Sequence, residues 1–483
     1  MAGIVGVARS NEERLIEQAL ATIAHRGNAG RMIASHDAAT FGQVWPHAQA
    51  QSAINIRRHR TVLHGEIHNW PELAVGATCP LEALENAYRS QGPAVVGQLD
   101  GPFALSIAGS EGVFLARDML GRSPLYLGRH QGAVCFASEL KALAGWAEDI
   151  REFPPGHYYD PQAGLVEYAR LELRPPLDSP AQHVATELRA RLVASVRKRV
   201  SPGQAGAWLS GGLDSATMTA LARRQVPVLH TFAVGVAGAP DLGFARAVAD
   251  FVGTEHHERV CTVDEMLAVL PEVIYHLESF DALLVRSSIT NFLVGRLAAD
   301  HVPAVLSGEG GDELFAGYAY LKHLDPAELP DELIDITGRL HNTALQRVDR
   351  CSAGHGLVAR TAFLDREVVD YALRIPPQMK ISDNGAAVEK WILRRAMEGL
   401  LPPQVLNRPK AKFWEGAGVG DLLAARAEHL ISDAEFQAQR RLPDGGSLNC
   451  KEELFYYRIF RDYFGAAISH TLVGRTKGAP VVQ

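Results

Sequence analysis

The sequence predicts an α/β protein in two parts, a mixed α+β portion followed by a doubly wound parallel sheet with a mostly helical tail. Three observations carry this. Up to about residue 170, short β segments such as Gly112–Ala116 and Ala133–Ala137 mix with helix-like stretches near Glu12–Ala24 and Pro80–Gln91. Pro175, Pro176 and Pro180 then mark a linker, placing the boundary near residue 178 and giving portions 1–178 and 179–483. Beyond it strands and helices alternate as βα units, and twice an apolar run ends in a glycine-rich turn, the arrangement of a parallel sheet with ligand-binding loops at its carboxyl edge.

In the second portion the apolar run ending in Ala207-Trp208-Leu209 reads as a strand, Ser210–Ser215 as the turn and Ala216–Leu221 as a helix start. Val228–Val236 follows as a strand, then Asp241–Val252, Val263–Ser279 and Ser288–His301 as helices, and Val302–Leu306 as the strand entering the second turn. The two turns are expected side by side. From about Leu340 the pattern is mostly helical, with no internal repeat or low-complexity tract.

Composition limits the partners. With 48 Lys and Arg against 55 Asp and Glu in 483 residues, no basic excess points to nucleic acid. No stretch reaches the roughly 18 apolar residues of a membrane span, and the amino terminus lacks the pattern of a signal peptide. Cys79, Cys135, Cys261, Cys351 and Cys450 show no CxxC pairing, so reduced thiols and a cytoplasmic location are expected.

Ser210-Gly211-Gly212-Leu213-Asp214-Ser215 is the most informative segment. Two glycines let backbone amides approach a polyphosphate, serine hydroxyls add donors, the helix N-terminus favours anions, and Asp214 can hold the magnesium that phosphates bring. No lysine follows the glycines, so this is not the phosphate loop of a γ-phosphate kinase or GTPase. The second turn, Ser307-Gly308-Glu309-Gly310-Gly311-Asp312-Glu313, again places glycines and carboxylates after a strand, with Asp312 as a second magnesium ligand facing Asp214.

The first turn resembles the pyrophosphate loop of ATP-pyrophosphatases, which split ATP between the α and β phosphates. With His25-Arg26-Gly27, Gly65-Glu66-Ile67-His68-Asn69, Asp100–Ala104, Arg117-Asp118, Gly121–Tyr126, Phe232–Gly235, Ala359–Asp365 and Lys451–Arg458 in order, the chain resembles a glutamine-hydrolysing asparagine synthetase almost end to end. The resemblance implies an N-terminal Ntn-hydrolase-like αββα domain, a C-terminal ATP-pyrophosphatase domain, ATP and Mg²⁺, and commonly a homodimer. It also implies that Ser210, Gly211, Gly212 and Ser215 bind pyrophosphate and that Trp208, Val234, Ser307 and Gly308 surround adenosine. By the same resemblance, Glu309 takes a proton from the attacking amine and Lys410 steadies the transition state, while Arg286 grips a substrate carboxylate.

The departures are informative. Those relatives attack glutamine with an N-terminal cysteine, and Ala2 stands at that position. The asparagine of their Asn-Gly-Glu element is His64, and an aspartate expected near Ala77–Pro80 is absent. Cys79 reads as a packing residue with no matched base, so the first domain is expected to be an inactive scaffold. Where the relatives carry two threonines this chain has Leu283 and Leu284, an acidic residue expected near Ala344 is missing, and Val358 replaces a glutamate. The acid could be aspartate, an analogue without the α-amine, or a larger, more apolar acid. Three readings follow: adenylation with transfer to ammonia or a small amine; lactam formation with an internal amine, disfavoured because that branch carries tyrosine where this chain has Glu309; and a non-catalytic nucleotide-binding protein, disfavoured because both phosphate turns are complete.

Overall fold

The computed structural model describes residues 2–36, 38–47, 56–203, 205–383, 387–409, 422–465 and 467–477. Its first part stacks two antiparallel sheets. One takes the order β2-β3-β1-β8-β7-β9, built from β1 (Gly3–Val7), β2 (Gly30–His36), β3 (Ala39–Trp45), β7 (Tyr126–His130), β8 (Ala133–Ala137) and β9 (Glu148–Glu152). The other runs β11-β10-β6-β5-β4 and uses β4 (Thr61–Gly65), β5 (Phe103–Gly109), β6 (Gly112–Arg117), β10 (His157–Asp160) and β11 (Gly164–Glu167). Ile4, Phe41 and Phe136 of the first sheet meet Val62, Leu105 and Leu115 of the second in one buried cluster. Helix Glu13–Thr22 packs on β3 and helix Pro80–Gln91 on β4, which completes four layers.

The second part is a parallel sheet in the order β14-β13-β12-β15-β16, formed by β12 (Ala205–Trp208), β13 (His230–Gly235), β14 (Glu255–Val260), β15 (Ala304–Ser307) and β16 (Val358–Thr361). Alternate residues face opposite layers, as the two-residue period of a strand requires. Trp208, Phe232, Val234 and Val305 join the cluster containing helices Val263–Leu277 and Ala282–Ala299. Ala207, Ala233 and Leu306 face helices Ala181–Arg199 and Leu213–Arg223.

Several elements differ from the sequence expectation, among them strand β16, which lies where the pattern reads as mostly helical. The helix expected from Ser288 begins at Ala282, because the Asp281 side chain accepts the Leu284 amide at 2.9 Å and caps it. Strand β14 was not anticipated, since Glu-His-His-Glu-Arg-Val at a sheet edge has little of the apolar pattern that marks a buried strand. Helix Ala181–Arg199 was likewise unforeseen; it starts at once after Pro180.

The two parts share a buried charge network. Arg26, fully buried, pairs with Asp349 (Nη2 to Oδ2, 2.5 Å) and with Glu139. Arg350 reaches Glu139 and Glu278 at 3.0 and 3.1 Å, and Lys141 meets both of those carboxylates. Three cations thus face three carboxylates, which is how charges survive out of water. His64 bonds Ser138 Oγ through Nδ1 at 2.9 Å, with Nε2 3.6 Å from Asp349. Burial pushes His64 down to about 4, and drives the nearby His276 to about 2 and His355 to about 4.

Histidines held neutral by the fold give stability that is complete above the unfolded value of 6.5 and is lost as pH falls toward 4. His64 alone accounts for something on the order of 3 kcal/mol. The melting temperature should therefore drop between pH 7.5 and pH 5, and His64→Gln should flatten that dependence; an unchanged slope in the variant would count against the assignment.

Candidate functional site

The parallel pairing of β12 with β15 (Ala207 opposite Leu306) brings both glycine turns to one edge. In the first turn Gly211 has φ +72°, and a Cβ there would lie 2.4 Å from Phe244 Cβ, so only glycine fits. The Ser215 hydroxyl accepts the Ser210 amide at 3.2 Å, donates to Gly212 O at 3.1 Å and lies 3.1 Å from Ser210 Oγ. Helix Leu213–Arg223 then presents its N-terminus to the turn. A Cβ on Gly308 would sit 3.0 Å from both Asp214 Cβ and Ser215 N, and one on Gly311 would sit 2.5 Å from Asp214 Cγ. The second turn thus touches the first.

Asp214 and Asp312 converge on one cation. Lys390 Nζ is 2.5 Å from Asp214 Oδ2 and 2.6 Å from Asp312 Oδ1, with the lysine side chain only 4 % exposed. Sequence reasoning missed Lys390, which comes from a distant turn with φ +55°; a non-glycine residue in that conformation is a strain that function often tolerates. Carboxylates of low exposure aimed at a single point are a hard-oxygen set that suits magnesium.

Around this pair the remaining residues fall into place unevenly. Trp208, Val234 and Ser307 lie at or next to the carboxyl ends of their strands and are almost wholly buried. Glu309 pairs with Arg347. Glu313 was passed over in the sequence; burial, reinforced by the charges of Asp312 and Glu309, lifts its carboxyl to about 7, and Tyr318 donates to it. Arg286 is engaged by Glu452, with Nε 2.7 and 2.9 Å from the two carboxylate oxygens, and Tyr456 donates to Glu452 at 2.6 Å. Lys410 lies outside the described residues. Two positions before it, Arg408 is tied to Asp241 at 2.5 Å and stacks 4.0 Å over Phe244, the residue beside Gly211.

In the first part Ala2 is fully buried and the imidazole of His64 is bonded to Ser138, with Nε2 3.6 Å from Asp349. The expectation that Cys79 has no base needs correction. Its Sγ is 3.7 Å from His59 Nε2, and His59 Nδ1 is 3.4 Å from Glu85. The histidine lies some twenty residues upstream of the thiol, where no local motif links them.

Comparison with known proteins gives a consistent picture. The Asparagine synthase family matches residues 187–333 and 326–477, and the Glutamine amidotransferase domain matches residues 1–153. A probable glutamine-hydrolysing asparagine synthetase of Schizosaccharomyces pombe is 37 % identical over 81 % of this chain and 77 % of the relative. Asparagine synthetase B [glutamine-hydrolyzing] of Escherichia coli is 35 % identical over 86 % of this chain and 81 % of the relative. A solved glutamine phosphoribosylpyrophosphate amidotransferase of B. subtilis overlaps 46 % of this chain and 64 % of its own at 14 % identity and a TM-score of 0.30, too little to argue from.

Replacing Lys390 by Met leaves two adjoining carboxylates without their shared ammonium, a loss of about 3–5 kcal/mol for a buried pair. We expect the melting temperature of K390M to fall and added Mg²⁺ to restore part of the loss; no Mg²⁺-dependent recovery would show that Asp214 and Asp312 do not form a cation site.

Proposed function

This chain belongs to the asparagine synthase family, and we propose that this ATP-dependent carbon–nitrogen ligase adenylates the carboxylate of aspartate or an analogue and passes the acyl group to ammonia or a small amine, without hydrolysing glutamine. The observation that carries the reading is the convergence of Asp214 and Asp312 on one point between two glycine turns. The acid's oxygen attacks the α-phosphorus of ATP and pyrophosphate leaves; the amine then attacks the acyl carbon and AMP leaves.

Ser210, Gly211, Gly212 and Ser215 would receive the departing pyrophosphate through amides and hydroxyls, and Lys390 would offset its charge. Magnesium held by Asp214 and Asp312 would neutralise the leaving group. Trp208, Val234, Ser307 and Gly308 would wall the adenosine. Glu309 would accept the proton of the attacking amine, its carboxylate kept in place by Arg347. Lys410 would steady the charge developing in the transition state.

Recognition of the acid would be weaker in polar contacts than in the asparagine synthetases. Glu452 takes both Nε and Nη2 of Arg286, so a substrate carboxylate would be met chiefly by Nη1. Leu283 and Leu284 add no hydrogen-bonding group for an α-ammonium.

The absence of glutaminase rests on Ala2, which has no nucleophilic atom, and on His64, whose ring is bonded to Ser138 where the relatives have an asparagine amide. The Schizosaccharomyces pombe and Escherichia coli relatives are named as glutamine-hydrolysing, and in this respect the proposed activity departs from theirs.

The test is pyrophosphate release from Mg-ATP across a panel of acids, each with ammonium, with glutamine and with no amine. We expect release that needs an acid and ammonium, Asp214→Asn lowering it by on the order of a hundredfold, and no glutamate formed from glutamine. Glutamate release would overturn the glutaminase part, turnover without amine would favour lactam formation, and silence with every acid would remove the ligase reading of this site.

A further inference from the structure

The amino edge of the parallel sheet holds a cluster that the nucleotide site does not use. His230 opens β13, His257 is the third residue of β14, and His301 lies in the connection between helix Ala282–Ala299 and β15. One ring nitrogen from each lies within 4.8 Å of the others, and His230 Nδ1 is 3.1 Å from His257 Nε2. The Glu255 carboxylate is 3.3 Å from His230 Nδ1. His257 and His301 have ring centroids 3.9 Å apart, and both pack on Phe232, at 5.2 and 5.7 Å.

His230 and His257 are joined by one hydrogen bond, and the His301 ring lies against both, so that three imidazoles crowd their nitrogens into one place. Charging them would set like charges side by side. Neutral imidazoles with a carboxylate at hand are the donor set of a borderline divalent cation. Zinc–nitrogen bonds of about 2.0–2.1 Å in a tetrahedron need nitrogens roughly 3.3 Å apart, close to the spacing seen between His230 and His257.

We propose that His230, His257 and His301 form a zinc-class metal site, with Glu255 or water as fourth ligand, that ties the edge strand β14 and strand β13 to the connection leading into β15. It is structural and separate from the nucleotide site. Val234, near the carboxyl end of β13, lies four residues along that strand from His230, about 13 Å at the strand rise. His301 is exposed, which gives an ion a route in.

The experiment uses the full chain, stripped of metal with a chelator. Zn²⁺ is titrated against a chromophoric competitor, and Co²⁺ is added in parallel for the intense visible bands of a tetrahedral nitrogen-rich site. One equivalent should bind, the melting temperature should rise by several degrees, and His257→Gln and, separately, the exposed His301→Gln should each abolish both effects. Far-UV circular dichroism and Mg-ATP-dependent pyrophosphate release of the variants report whether they remain folded. Equal Zn²⁺ binding by wild type and by both folded variants, or no saturable binding by wild type, would overturn the proposal.

Discussion

Two ionised carboxylates held side by side at low exposure repel each other unless a cation stands between them, and that constraint organises the second domain. Asp214 and Asp312 come from different turns, brought together only because β12 and β15 are parallel neighbours. Lys390 satisfies the pair from a third part of the chain. The glycines follow from the same constraint: a methyl group on Gly308, Gly311 or Gly317 would collide with Asp214, Asp312 or Lys390. Charge, backbone and topology therefore specify one another at this edge.

The same rule governs the seam between domains. Arg26, Lys141 and Arg350 against Glu139, Glu278 and Asp349 form a balanced set, so no member can be removed alone without stranding a charge. Around it Val5, Ile16 and Leu20 pack in one apolar cluster with Ile274 and Leu277. An N-terminal domain fastened in this way supports the domain beside it by burial alone, which gives the fold a reason to keep it whether or not it carries chemistry of its own.

Legibility in the sequence followed locality. Both glycine turns were readable because strand, turn and helix start are contiguous, and Gly211, Asp214 and Asp312 are fixed by that local geometry. Lys390 was not readable, since its meaning depends on where a distant turn lands. Glu313 is named in the sequence only as one of the turn's carboxylates, because its raised carboxyl arises from burial that the local sequence does not show. Cys79 and His59 show the same limit, being neighbours across β4 and the helix that packs on it rather than along the chain. Strand β14 escaped notice for a different reason: an edge strand can be polar throughout, and here its polar residues include His257 and Glu255.

Arg286 shows how a family motif can persist while its physical setting narrows its use. Glu452 is almost fully buried and would lose its partner if a substrate carboxylate displaced it, leaving a charge in an apolar setting with Tyr456 as its one remaining side-chain donor among the described residues. Displacement is therefore costly, and a substrate carboxylate must be accommodated alongside Glu452 or read elsewhere. On the proposed reading, Leu283 and Leu284 bring methyl groups where hydroxyls would serve an ammonium, and binding energy would shift from polar pairing toward apolar contact and shape. In the proposed reaction adenylation draws on the Asp214–Lys390–Asp312 corner, which shares no residue with the Arg286–Glu452 pair, so the acid accepted can change while the phosphate chemistry stays fixed.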